Sequence, residues 1–195
     1  MKNIKLGDYS QAMTWQKYHS VSEDWLRIPE IAAVEMSKII PSYIKNILNF
    51  GCSSGRDFIP FQGRGLDFHG FDICPDNVIN WICDTERLTY YCCNIQDFPI
   101  YHGKSIDIDL SKSFVYTSGT MMYVDTTNQN KFIDYLIEHR CKNMCFQEYA
   151  PPKAYENGSL FLNEKNILLF TKKEYRIHIP APIQPFTFYM IDEGK

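Results

Sequence analysis

The apolar positions of this chain fall into short runs, each ended by glycine, proline or small polar residues. Ile47–Phe50, Phe68–Ile73, Tyr90–Cys93, Phe114–Thr117 and Met144–Glu148 are such runs, and their β-branched and aromatic content predicts strands. Between them the period lengthens. Arg56–Phe61 predicts a short helix, and Pro75–Cys83 a helix opened by Pro75. Asn128–His139 is the clearest helix, with Thr126 or Thr127 as cap and Phe132, Ile133, Leu136 and Ile137 as its apolar stripe. Strands alternating with helices predict a parallel sheet covered on both faces. Ahead of the first strand, residues 1–45 read as a polar lead-in and then a helix. Pro29 stands at its start, and Ile31, Ala32, Val34, Met36, Ile39 and Ile40 give it a broad apolar side up to Pro41. Past Pro151-Pro152 the pattern weakens to a helix over Leu160–Leu169 and two closing strands, Tyr175–Ile179 and Phe186–Ile191. The short turn Ala181–Pro185 between these two strands requires them to be antiparallel.

Composition narrows the class. With 195 residues, 45% hydrophobic and 15% aromatic, one domain with a full core is expected: a helical cap over 1–45, a core over 46–150 and closing strands over 151–195. The net charge of −3, without a basic block, gives no electrostatic footprint for nucleic acid. No apolar run approaches the roughly 18–20 residues of a bilayer span. Met1-Lys2-Asn3-Ile4 lacks the apolar core of a signal peptide. The seven cysteines are odd in number, form no C-x-x-C pair and mostly sit in apolar runs, which predicts reduced, buried thiols in a cytoplasmic protein. The many Lys, Asn, Ile and Tyr residues point to an AT-rich, bacterial source.

The chemistry concentrates in Ile47-Leu48-Asn49-Phe50-Gly51-Cys52-Ser53-Ser54-Gly55-Arg56-Asp57. A strand that stops at glycines and hands over to a helix builds a nucleotide site, because the ligand can approach the backbone and the helix N-terminus offers unpaired N–H groups. A dinucleotide fingerprint needs glycine where Ser53 and Arg56 stand, so an NAD(P)-dependent oxidoreductase is disfavoured. Asp72 follows Gly51 by 21 residues, the spacing at which a carboxylate reaches the hydroxyls of a ribose lying across the strand ends. The competing role for Asp72 is a surface cap on the next helix.

This stretch resembles the first motif of the class I S-adenosylmethionine (SAM) dependent methyltransferases, apolar-apolar-acid-apolar-G-x-G-x-G. It departs at Asn49, for the acid, and at Ser53, for the middle glycine. Asn94-Ile95-Gln96-Asp97-Phe98-Pro99 resembles the family's adenine motif, and Thr117-Ser118-Gly119-Thr120-Met121-Met122-Tyr123-Val124 its T-S-G-V-L-x-H-I segment, with Tyr123 for the histidine. The fifth strand ends in Gln147-Glu148-Tyr149, another place where the family puts acceptor-side groups, so the ordered resemblance runs from about Ile47 to Tyr149. The resemblance implies a Rossmann-like fold: a mostly parallel seven-stranded sheet with an antiparallel C-terminal strand and helices on both faces. It also implies SAM as cofactor, held by Gly51, Cys52, Ser53, Gly55, Arg56, Asp72, Ile73, Asn94, Ile95, Asp97, Thr117 and Ser118. Asn94 and Asp97 compete for the adenine amino group. Arg56 is either a partner of the SAM carboxylate or an exposed helix arginine, and Met121 and Met122 read as core.

Methyl transfer needs a general base only for a hydroxyl or a protonated amine. The candidates are Tyr123, His19, Glu148 and Tyr18, with Tyr149 behind them. Trp15–His19 and Asp24-Trp25 put aromatics ahead of the sheet, as a lid over the ligand or a cover on the sheet edge. The five scattered histidines show no metal-ligand spacing. The acceptor is expected to be a small molecule. The Thr117–Val124 segment is also similar to methyltransferases of bacterial surface-sugar biosynthesis, which implies a sugar or glycan precursor. A monomer or homodimer, without nucleic acid or membrane, completes the expectation. The rival from another class is a protein that binds SAM or its demethylated product S-adenosylhomocysteine (SAH) without turnover.

Overall fold

A computed structural model describes residues 1–7, 27–74, 81–83, 86–149, 175–178 and 186–193. In chain order the elements are β1 (Lys2–Lys5), α1 (Ile31–Ile39), β2 (Asn46–Phe50), β3 (Asp67–Asp72), β4 (Leu88–Cys92), α2 (Phe98–Tyr101), β5 (Ser113–Ser118), α3 (Thr126–Glu138), β6 (Asn143–Tyr149), β7 (Tyr175–His178) and β8 (Phe186–Glu193). They form one sheet in the order β1-β4-β3-β2-β5-β6-β8-β7. The first six strands in that order are parallel, and β8 runs antiparallel to both β6 and β7.

Among the described residues the sheet has eight strands where seven were expected. The extra one is β1, which lies in what reads as polar lead-in and pairs with β4 from Lys2 opposite Thr89 to Lys5 opposite Cys92. A single apolar residue in Lys2–Lys5 gives no strand pattern, and the edge of the sheet rather than local propensity selects the conformation. Two smaller corrections have local causes. Arg56–Phe61 is a 3-10 helix with Pro60 inside it, where the missing N–H limits a regular helix. The cap of α3 is Asp125, one residue ahead of the expected threonines, and its carboxylate accepts the Asn128 N–H at 3.0 Å. Residues 75–80 of the second predicted helix, and Leu160–Leu169, lie outside the described residues.

Each face of the sheet has its own core, as expected of strands buried on both sides. On one face Leu48, Phe50, Phe71, Val115 and Phe146 pack with Phe98 of α2 and with Phe132, Ile133 and Leu136 of α3. On the other, Ile47, Phe68, Phe114 and Tyr116 pack with Ala32, Ala33 and Met36 of α1 and with Phe58 and Phe61 of the 3-10 helix. Phe50 is the centre of the first core. It stacks on Phe71 at 4.4 Å and meets Phe98 and Phe132 edge-on at 5.1 and 4.9 Å. The chain leaves β2 for β3 on one side and returns to β5 on the other, so a crevice opens at the carboxyl end of β2. Among the described residues no helix is long and apolar enough to cross a membrane.

Truncating Phe50 to alanine removes the contact that joins both helices to the strand beside the crevice. Urea unfolding is expected to show a loss of about 3–5 kcal/mol. A loss below about 1 kcal/mol would show that the ring cluster does not hold this face.

Candidate active site

The loop after β2 is shaped by left-handed backbone at alternate positions. Gly51 has φ +74°, Ser53 +47° and Gly55 +76°. Ser53 therefore adopts the conformation that a glycine would take, at a strain cost of about 1–2 kcal/mol, and the departure from the motif changes the residue without changing the turn. Gly51 N–H and Cys52 N–H both donate to the Phe71 carbonyl, at 2.7 and 3.1 Å, which binds the loop to the end of β3.

Asp72 closes the arrangement. Its carboxylate accepts the Ser53 N–H at 3.1 Å through one oxygen and the Cys74 N–H at 3.1 Å through the other. A carboxylate offers about four acceptor positions, and among the described residues these two N–H groups and the Cys74 thiol take three of them. Asp72 is 7% exposed and bonds to the crevice loop, so it is not a surface residue, while residues 75–80 of the helix it was expected to cap lie outside the described residues. Ile73 is half-buried beside it. Past the end of β4, Asn94 caps a 3-10 turn over Ile95–Asp97, its side-chain carbonyl accepting the Gln96 N–H at 3.2 Å. That carbonyl keeps one lone pair. Ile95 is buried, and Asp97 is half-buried with its N–H donated to the Asn94 carbonyl at 3.0 Å.

Past β5, Thr117 is buried and Ser118 half-buried, and the Thr120 hydroxyl sits in the space a side chain on Gly51 would need. The following turn is pinned by Gln129, fully buried, whose amide donates to the Met121 and Val124 carbonyls at 2.7 and 2.9 Å. This leaves Tyr123 52% exposed at the rim, while Met121 is core as expected. Trp81 packs against Gly55 and meets Tyr90 edge-on at 5.0 Å, and Ile82 N–H donates to the Ser54 carbonyl at 3.0 Å. Sequence reasoning did not assign Thr120, Gln129 or Trp81 to the site, although Thr120 stands within the Thr117–Val124 segment. Tyr18 and His19 lie outside the described residues. Glu148 falls on β6 opposite Thr187 of β8.

Beneath the loop lies a buried polar cluster. Arg56 points to the Glu30 carboxylate, and its Nε lies 3.9 Å from Asp57 Oδ1. Asp57 is 5% exposed and accepts the Glu30 N–H at 2.7 Å. Burial pushes the Asp57 carboxyl up to about 6, with Arg56 opposing the shift. A carboxyl raised from 3.8 to about 6 favours the folded state when protonated, so stability from this group falls as pH rises from about 4 to 6. Above that window its charge costs about 3 kcal/mol. Asn49, 1% exposed, lies with its side-chain amide against the Asp57 carboxyl and favours the charged form, opposing the effect of burial. Tyr116, on the same face, shares a hydrogen bond with the Ser118 side chain. Burial raises the thiols of Cys52 and Cys74, the nearest to the loop, which keeps them protonated and inert. Among the described residues no three His, Cys, Asp or Glu side chains converge as metal ligands.

No family model and no curated protein matches the sequence. Solved structures do match the fold. The N-methyltransferase NodS of Bradyrhizobium japonicum is 12% identical, with a TM-score of 0.60 over 95% of this chain and 98% of that one. This is the class I methyltransferase fold. A TehB-like SAM-dependent methyltransferase of Corynebacterium glutamicum is 14% identical, at 0.58 over 95% and 97%. The magnesium protoporphyrin IX methyltransferase of Synechocystis with bound SAH is 10% identical, at 0.55 over 96% and 89%. On the methyltransferase fold the crevice described above lies at the switch point of the sheet, where ligands of open α/β sheets bind.

Gly51→Ala places a methyl group on the Thr120 hydroxyl, at a left-handed φ. The variant is expected to lose about 2 kcal/mol or more in urea unfolding, through strain and overpacking together. A change under about 0.5 kcal/mol would show that the two loops are not in contact.

Proposed function

We propose that this protein transfers a methyl group from SAM to a small-molecule acceptor. The observation that carries the reading is the Asp72 carboxylate, tied to the Ser53 N–H of a left-handed loop at the sheet's switch point with an acceptor position to spare among the described residues. The residues fit the cofactor. The spare acceptor position of Asp72 suits a ribose hydroxyl, and the left-handed turn through Gly51, Cys52, Ser53 and Gly55 shapes the loop that a ligand would meet. Asn94 accepts from the adenine amino group through its remaining lone pair, with Asp97 as the alternative, and the buried Ile95 supplies the neighbouring apolar surface and N–H. Thr117 and Ser118 border the crevice from β5.

SAM supplies a methyl group already activated on a sulfonium. What the chain supplies is alignment, worth on the order of 7–11 kcal/mol when the reacting atoms are held in line. Tyr123, exposed at the rim, orients the acceptor. A sugar or glycan precursor is the acceptor class that the Thr117–Val124 segment favours. The second reading, SAM or SAH binding without turnover, is favoured by Asn49, whose neutral amide replaces the motif's acid.

Calorimetric titration with SAM, SAH and NAD separates the readings. Binding of SAM and SAH is expected, with Asp72→Ala weakening it at least tenfold, about 1.4 kcal/mol. A folded protein that binds neither would overturn the cofactor reading, and affinity for NAD alone would return the chain to the oxidoreductases. Transfer of a labelled methyl group to a panel of small hydroxyl and amine acceptors then decides between catalysis and binding.

A further inference from the structure

On the cofactor reading above, we propose that Asp57 is a positioning residue for the cofactor loop. Its carboxylate supplies, from the 3-10 helix below, the negative charge that position 49 carries in the methyltransferase motif. The placement is the first argument. Asn49 is the next-to-last residue of β2, two residues before Gly51, buried, and its amide lies against the Asp57 carboxyl. The carboxyl therefore touches the side chain that stands in the position of the motif's acid.

The second argument is charge. The Arg56 guanidinium faces both the Glu30 and the Asp57 carboxylates and lies closer to Glu30. A buried carboxylate is costly, and such groups concentrate at functional sites. The ligand proposed for the loop above is a cation at two positions, its sulfonium and its ammonium. A positive ligand over a buried anion is stabilised through a medium of low dielectric, so the charge that burdens the free protein favours the bound one. The third argument is connection. Residue 30 is held by its N–H to Asp57 and by its side chain to Arg56, so the same carboxylate fixes the start of α1 against the exit of the cofactor loop.

The charged and titratable groups that face Asp57 are Arg56 on its own helix, Glu30 at the entry to α1, Cys52 in the loop and Tyr116 on β5, with Cys145 of β6 behind Tyr116. Burial raises the Cys52 and Tyr116 groups, so both are neutral at the pH of the experiment. Asp57 loses its charge as pH falls through about 6, and a cation that prefers the ionised form binds more weakly below that point.

The test is SAH and SAM titration of the full chain from pH 5.5 to 8, with thermal unfolding of each protein. The proteins are wild type, Asp57→Asn and Asn49→Asp/Asp57→Asn. An asparagine at 57 still accepts the Glu30 N–H while removing the buried charge. Asp57→Asn is expected to keep or raise Tm at pH 8 and yet weaken SAH binding at least tenfold. It is also expected to lose the decline in affinity that wild type shows below pH 6.5. The double variant, with the carboxylate returned to position 49, is expected to recover affinity to within about threefold of wild type. Equal affinity of wild type and Asp57→Asn at every pH would overturn the proposal. So would a loss of Tm and affinity together that the double variant does not restore, since that is the mark of a merely structural residue. Wild-type protein that binds neither SAM nor SAH overturns the cofactor reading itself.

Discussion

A loop that turns on left-handed backbone at Gly51, Ser53 and Gly55 directs N–H groups inward, and each needs an acceptor. The end of β3 supplies two of them. The Phe71 carbonyl takes Gly51 and Cys52, and the Asp72 carboxylate takes Ser53. The shape of the loop therefore depends on β3 lying beside β2 in one register, with Phe50 opposite Phe71. That register is set by the buried rings on both faces, since a slip of one residue would send Phe50 to the wrong core. The crevice is a consequence of packing that begins well below it.

From the same register follows the position of the second loop. Phe50 is also opposite Thr117 of β5, so the turn that follows β5 rises directly beside Gly51. Thr120 then occupies the space a side chain on Gly51 would fill, and Gln129 of α3 holds the turn from behind with two bonds to backbone carbonyls. The two loops form a mechanical unit: what displaces Thr120 displaces the glycine against which a ligand would lie. Glycine at 51 is thus required twice, once for its φ and once for its missing side chain.

The strands near the site were legible because apolar runs between glycines leave little choice: β2, β3, β5 and β6 fall within one or two residues of their predicted bounds. The edge was not legible. Lys2–Lys5 has no strand pattern of its own, and it is held by β4, by Leu6 N–H on the Cys92 carbonyl at 3.1 Å and by the Tyr101 hydroxyl on the Leu6 carbonyl at 2.5 Å. Asp72 and the loop glycines were readable from spacing. Asp57 was not, because a polar Gly-Arg-Asp turn reads as surface. Its burial depends on α1 and the Glu30 N–H arriving from 27 residues away. Ser53 misled in the opposite direction, as a departure from the motif that leaves the backbone as a glycine would.

The departures from the motif are therefore not equivalent. Ser53 is absorbed by backbone strain, and Asn94 retains an acceptor, so neither removes a function from the crevice. Asn49 alone exchanges a charge for a neutral amide, and that amide lies against the Asp57 carboxyl. Capping α1 through the Glu30 N–H requires only a carbonyl oxygen, which an asparagine at 57 would provide without the desolvation of a charge. A buried acid persists where its charge is used. The location under a loop that would hold a cation makes electrostatic complementarity the simplest account of both residues. Under that account the chain retains a working cofactor site despite the altered motif, because the charge has moved across the strand end rather than disappeared.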